Sequence, residues 1–70
     1  MTKYEYCVYE TVQTSQGHYC FLSFTNGKDI ELENRSTISV MEELGKDGWE
    51  LVSTTHFDNK MNHFFKRRLE

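Results

Sequence analysis

The segment Leu44-Gly45-Lys46-Asp47-Gly48-Trp49-Glu50-Leu51-Val52 constrains this chain more than any other. Gly48 can adopt the left-handed backbone that ends a helix at little steric cost, and the only tryptophan follows it at once. The spacing predicts a helix that closes at Gly48 and a strand that opens with Trp49, whose ring packs back under the helix just ended. Length sharpens the constraint. Seventy residues make one domain, 1–70. A domain of this size buries only about 60% of the surface its unfolded chain exposes, so disulfides, metals or self-association are common supports.

Upstream, Lys3 to Thr11 alternates Tyr4, Tyr6 and Val8 against Glu5, Cys7 and Tyr9, the period of a strand. Thr14-Ser15-Gln16-Gly17 reads as a turn and Tyr19 to Thr25 as a second strand. Asn26-Gly27 is a strong hairpin signal, and Lys28 to Glu33 returns as a third strand. A two-residue loop there puts Tyr19, Phe21, Ile30 and Leu32 on one face, and Leu22 and Phe24 on the other with Asp29, Glu31 and Glu33. Asn34-Arg35-Ser36-Thr37 is a polar break, with Ser36 or Ser39 placed to cap a helix. Ile38, Met41 and Leu44 recur at helical spacing with Val40 beside them, while Glu42, Glu43 and Lys46 form the wet side. Trp49 to Phe57 and Met61 to Leu69 read as two more strands around Asp58-Asn59-Lys60. With Asn59-Lys60 as the centre, His56 lies opposite His63, Trp49, Leu51, Phe57 and Phe64 face the helix, and Val52, His56, His63, Phe65 and Leu69 face away. The predicted class is α+β: an antiparallel sheet of four to five strands, ordered β-β-β-α-β-β along the chain, with one helix packed on one face.

Three stretches carry a family resemblance: Tyr4-Glu5-Tyr6-Cys7-Val8, the central Gly48-Trp49-Glu50-Leu51-Val52, and Phe64-Phe65-Lys66-Arg67-Arg68-Leu69. The chain resembles the small bacterial and phage proteins catalogued as domain of unknown function 4177. That resemblance implies a short antiparallel sheet with one helix, often self-associating, and implies no activity and no functional residue. Against the family pattern, Cys7 stands where Lys is frequent, Arg68 where Pro is frequent, and the hairpin from His18 to Glu33 is long.

Composition narrows the function classes. A net charge of −3 disfavours general binding to duplex nucleic acid. There is no apolar run long enough to span a bilayer and no signal-peptide pattern after Met1, so a cytoplasmic location without membrane attachment is expected. Cys7 and Cys20 lack metal-ligand spacing and read as free thiols, a disulfide between them requiring one particular strand register. The glycines close a helix rather than open one, so they form no phosphate loop. No nucleophile elbow and no paired carboxylates stand out, and no cofactor is implied.

Two clusters remain. His56 and His63, if opposed, have β-carbons about 4.5–5.5 Å apart, close enough to share an ion, although zinc usually takes three or four protein ligands. The plainer alternative is an ordinary histidine pair at a surface or interface. Lys66-Arg67-Arg68 is the basic cluster, either a guard on a terminal strand or part of an anion site in which Arg67, His63, Phe65 and His56 hold a nucleotide or phosphate. The aromatic residues exceed what one small core needs, so Val52, Phe65, Leu69, Leu22 and Phe24 are predicted to meet a second subunit. The expectation is a non-enzymatic, homo-oligomeric binding or interaction module, dimeric by default. It would take a protein partner or a small anionic ligand. The alternatives are a protein that sequesters a nucleotide or other anion, or a small metal-dependent enzyme using the histidine pair.

Overall fold

The structure, a computed structural model, describes residues 2–32 and 36–69. Five strands and one helix follow in the order β1 (Lys3–Thr14), β2 (Gly17–Phe24), β3 (Asp29–Leu32), α1 (Thr37–Lys46), β4 (Glu50–Phe57) and β5 (Lys60–Leu69). The strands form one antiparallel sheet, β3-β2-β1-β5-β4. The expected α+β class is corrected by this content. About 65% of the described residues lie in strands and about 15% in the helix, so the protein is mainly β. The cause is the reach of the central ladder. β1 spans 12 residues and β5 spans 10, while α1 has only 10 residues in about three turns and covers part of one face. Glu33, Asn34 and Arg35, which the sequence assigns to a strand end and a break, lie outside the described residues.

The helix starts where its cap is. Ser36 keeps an extended backbone, and its Oγ accepts from the Ser39 amide at 3.1 Å. It stops at Gly48, whose φ is +89°. The Gly48 amide donates to the Gly45 carbonyl at 3.0 Å and the Trp49 amide to the Leu44 carbonyl at 2.9 Å, the paired bonds of a Schellman ending. Val40 and Leu44, one turn apart, are buried against the sheet, and Met41 packs beside them. Ile38 is not part of that stripe and is 78% exposed. Two residues from Val40 is about 200° around the axis, which turns its side chain to solvent.

Both outer hairpins differ from the sequence expectation: the β2–β3 register is shifted by one residue, which exchanges faces, and the β4–β5 register by two, which keeps them. Between β2 and β3 the loop is Thr25-Asn26-Gly27, not Asn26-Gly27 alone. The Gly27 amide donates to the Phe24 carbonyl at 3.0 Å and the Phe24 amide to the Lys28 carbonyl at 2.8 Å, with Gly27 at φ +92°. This is a turn closed by a glycine bulge. Leu22 therefore opposes Ile30 and Cys20 opposes Leu32, all facing α1, while Tyr19 and Phe21 face away. Between β4 and β5 the turn is Asp58-Asn59, with Asp58 at φ +54°. His56 thus opposes Met61 and Thr54 opposes His63. A bulge between Leu51 and Ser53 absorbs the extra residue, so Trp49, His63 and Phe65 face the helix and Phe57 and Phe64 face away.

The core under α1 joins Cys7, Tyr9, Cys20, Leu22, Val40, Leu44, Trp49 and Phe65. Tyr9 is wholly buried, with its hydroxyl 3.4 Å from Cys20 Sγ. Both cysteines are free. Cys20 opposes Thr11, and Cys7 is paired with Phe24 four residues further along β1. At the rise of a strand that separation is about 13 Å, beyond the roughly 7 Å between α-carbons that a disulfide spans.

Because Gly48 is left-handed, Gly48→Ala is expected to cost about 1–2 kcal/mol. That corresponds to several degrees of melting temperature, at about 4–8 °C per kcal/mol for a domain of this size. Gly45 sits within α1 with open space where a Cβ would stand. Gly45→Ala is therefore expected to raise the melting temperature, and parallel thermal melts of the two variants check both signs.

Candidate functional site

The walls of a cleft of about 330 Å³ come from α1 on one side and β2 and β3 on the other. Leu22, Phe24, Ile30 and Leu32 form its sheet wall, Val40 and Leu44 its helix wall, and Glu43, Asp47, Trp49 and Arg67 stand around it. The register correction makes this cleft apolar. With the one-residue shift undone, the charged Asp29 and Glu31 would face α1 in place of Ile30 and Leu32.

Arg67 is the most connected of the residues singled out from sequence. It opposes Glu5 in the β1–β5 ladder. Its Nε donates to Glu5 Oε2 at 2.8 Å, and its Nη2 lies 2.7 Å from the same oxygen. Its Nη1 donates to the Asp47 carbonyl at 3.1 Å, at the end of α1. The guanidinium also lies over the Trp49 ring, 4.4 Å from its centroid, and Trp49 tilts against Phe24 at 5.9 Å between centroids. Arg67 thus ties the first strand, the last strand and the helix end together. Its charge is compensated by Glu5, which reduces what it offers to an external anion.

The other three proposed ligand residues do not join it. His63 is buried, stacks on Tyr9 at 5.6 Å, and has Nδ1 3.2 Å from Thr54 Oγ1. Burial lowers its pKa from the ordinary 6.5, so the ring favours its neutral form. Phe65 lies in the core. His56 is on exposed β4, beside a second cleft of about 240 Å³ that also includes His18, Thr37 and Asn59. His56 and His63 share a face but not a rung of the ladder, so the opposed pair expected from sequence is not formed. Among the described residues, no group of three or more His, Cys, Asp or Glu side chains is arranged to hold a metal ion.

Of the predicted interface residues, Leu22 and Phe65 are buried under α1 and Phe24 packs against that core. Val52 and Leu69 remain exposed, at the β4 bulge and the end of β5. The basic cluster guards no edge, because β5 is an inner strand between β1 and β4. Lys66 instead lies over the Tyr4 ring at 4.7 Å, on the helix-free face. Sequence reasoning missed Glu5 as the partner of Arg67. The two are 62 residues apart and only the ladder brings them together. Cys7 lies close to this pair. Burial is the main influence on its thiol and raises it to about 11, offset in part by Arg67 and reinforced by Glu5.

Fold and site together define a small antiparallel-sheet domain, helix-covered on one face, with an apolar cleft beside a compensated arginine. The chain belongs to the family described as Domain of unknown function (DUF4177), whose model matches residues 4–68. No curated protein and no solved structure matches it. Among the described residues no helix is long and apolar enough to cross a membrane.

Two outcomes follow from the buried titratable groups. The folded state favours neutral His63, whereas the unfolded chain takes up a proton near 6.5. The stability this contributes is complete above about pH 6.5 and declines as pH falls toward the lowered folded value. His63→Phe keeps a ring beside Tyr9 and is expected to flatten the fall in urea midpoint between pH 7 and pH 5; equal slopes in both proteins would exclude it. Cys7 and Cys20, each 1% exposed, are expected to resist a thiol reagent until the protein is unfolded. Rapid labelling of the native protein would contradict their placement.

Proposed function

We propose that this chain is a non-enzymatic binding module that works as a homo-oligomer, with a second copy covering the helix-free face of the sheet. One observation carries this. Tyr4, Tyr6, Tyr19 and Phe64 stand 37–49% exposed on that face, with Val8 and Phe21 half-buried among them. The stripe crosses β2, β1 and β5, and Glu10, Lys66 and Arg68 interrupt it with both signs of charge. An aromatic centre with charged residues of both signs suits a surface that meets a copy of itself about a twofold axis. A dimer is the simplest such assembly. Two buried free thiols fit a reducing compartment, and we place the protein in the cytoplasm on that ground.

Sequestration of a nucleotide or another anion is less well supported. Arg67 would have to exchange Glu5 for the ligand, and His63 and Phe65 are enclosed in the core. An enzyme built on His56 and His63 has the same weakness, since the two rings occupy different surroundings.

Light scattering over a concentration series tests the assembly. The wild type is expected to exceed the mass of one chain, and the double variant Tyr6→Glu/Phe64→Glu to associate at least about tenfold more weakly, a change worth about 1.4 kcal/mol. A strictly monomeric wild type would end the proposal. An unchanged mass in the double variant would move the contact away from this face.

A further inference from the structure

The two rims of the sheet are unlike. β3 is short, four residues, and carries Asp29 and Glu31. Short length and charge both discourage another strand from adding there. β4 forms the other rim, spans eight residues, and every one of them is exposed. Among the described residues its only ladder partner is β5. Beyond Glu50 it carries no acidic residue, no lysine, no arginine and no proline. It thus lacks the usual protections of an edge, apart from the bulge between Leu51 and Ser53. The regular part, Ser53 to Phe57, leaves one side of its backbone without a strand.

We propose that Ser53 to Phe57 pairs with the same segment of a second copy, antiparallel about a twofold axis at Thr55, so that two five-stranded sheets become one. For the identity of the partner this rests on the self-association proposed above; the surface is a different one, the rim rather than the broad face. The occupant is argued from complementarity. In this register Thr55 meets Thr55 and Thr54 meets His56, with no like charges opposed. Ser53 meets Phe57. Phe57 is 73% exposed, and Ser53 is the small residue opposite Phe64 on the helix-free face. The ring of Phe57 from the second copy then comes to rest over Ser53 and beside Phe64, extending the aromatic stripe across the junction. Edge pairing and face packing are two separate twofold contacts, and they close a tetramer where their axes intersect at right angles.

The axis makes the test self-amplifying. Thr55→Lys places two lysines against each other, and Thr55→Glu places two carboxylates, on an exposed position that leaves the core untouched. Native mass spectrometry of the full chain is expected to show each variant losing the edge contact, with association at least tenfold weaker. Mixing the two is expected to restore it as a mixed assembly, because opposite charges then face each other. Thermal melts confirm that both variants remain folded. A Thr55→Lys chain that assembles like the wild type would overturn the edge contact, and so would a mixture that stays apart. The Tyr6→Glu/Phe64→Glu variant separates this from the broader proposal. Loss of assembly there with none in Thr55→Lys keeps the face and removes the edge; the reverse keeps the edge and removes the face. A monomeric wild type removes both.

Discussion

Trp49 is held from three directions. The amide at its own residue is fixed to the Leu44 carbonyl by the helix ending, the guanidinium of Arg67 lies over its ring, and Phe24 tilts against it from β2. Arg67 is in turn held by Glu5 on β1 and by the Asp47 carbonyl at the end of α1. Four elements, α1, β1, β2 and β5, are therefore joined through this indole and the arginine over it. A left-handed Gly48 permits the reversal that brings Trp49 under the helix, and the burial of the ring favours that reversal. Arg67 supplies the link between chain ends that are far apart in sequence. Its aliphatic stem packs at the Gly48 backbone, with Cδ 3.5 Å from where a Cβ would stand.

From this junction the sheet divides into two unequal halves. On the side of β1, β2 and β5, α1 covers a core that includes Tyr9, Cys7, Cys20 and Phe65. On the side of β4, no residue of the strand is buried. Exposed apolar groups lie on both parts, Leu51, Val52 and Phe57 on β4, and Tyr4, Tyr6, Tyr19 and Phe64 on the helix-free face of β1, β2 and β5. A helix of 10 residues cannot cover a sheet whose longest strand spans 12, and the surface left over is the main physical reason to expect a second copy. The same geometry explains why the polar candidates contribute little chemistry. Placing His63 against Tyr9 and Arg67 against Glu5 satisfies both within the fold.

Positions of the breaks were legible because they depend on local chemistry. Ser36 as a cap, Gly48 as a stop, and turns near Asn26-Gly27 and Asp58-Asn59 all follow from backbone preference or from a side chain bonding its own neighbourhood. The faces of the outer hairpins were not legible. One residue more in the loop after Phe24 exchanges the two sides of β3, and the bulge between Leu51 and Ser53 exchanges the two sides of β4 across it. Alternation alone did not decide between them, since Tyr19 and Phe21 are as apolar as Leu22 and Phe24. Of the residues expected to hold an anion, Arg67 lines the cleft under α1, whereas His63 and Phe65 lie buried on the helix side of the sheet rather than on its open side.

The sequence by itself determined where the chain turns, where its helix begins and ends, and that Trp49 follows the helix into the core, because each is settled within a few residues by φ, capping and burial. The tertiary structure alone decided the loop register, the bulge at Leu51 and Ser53, and the joining of Glu5 to Arg67 across 62 residues. Those depend on which strands become neighbours in the ladder, and neighbour choice is set by the summed packing of both faces rather than by any short segment. The mainly β character has the same origin, since the lengths of β1 and β5 are extended by pairing with each other.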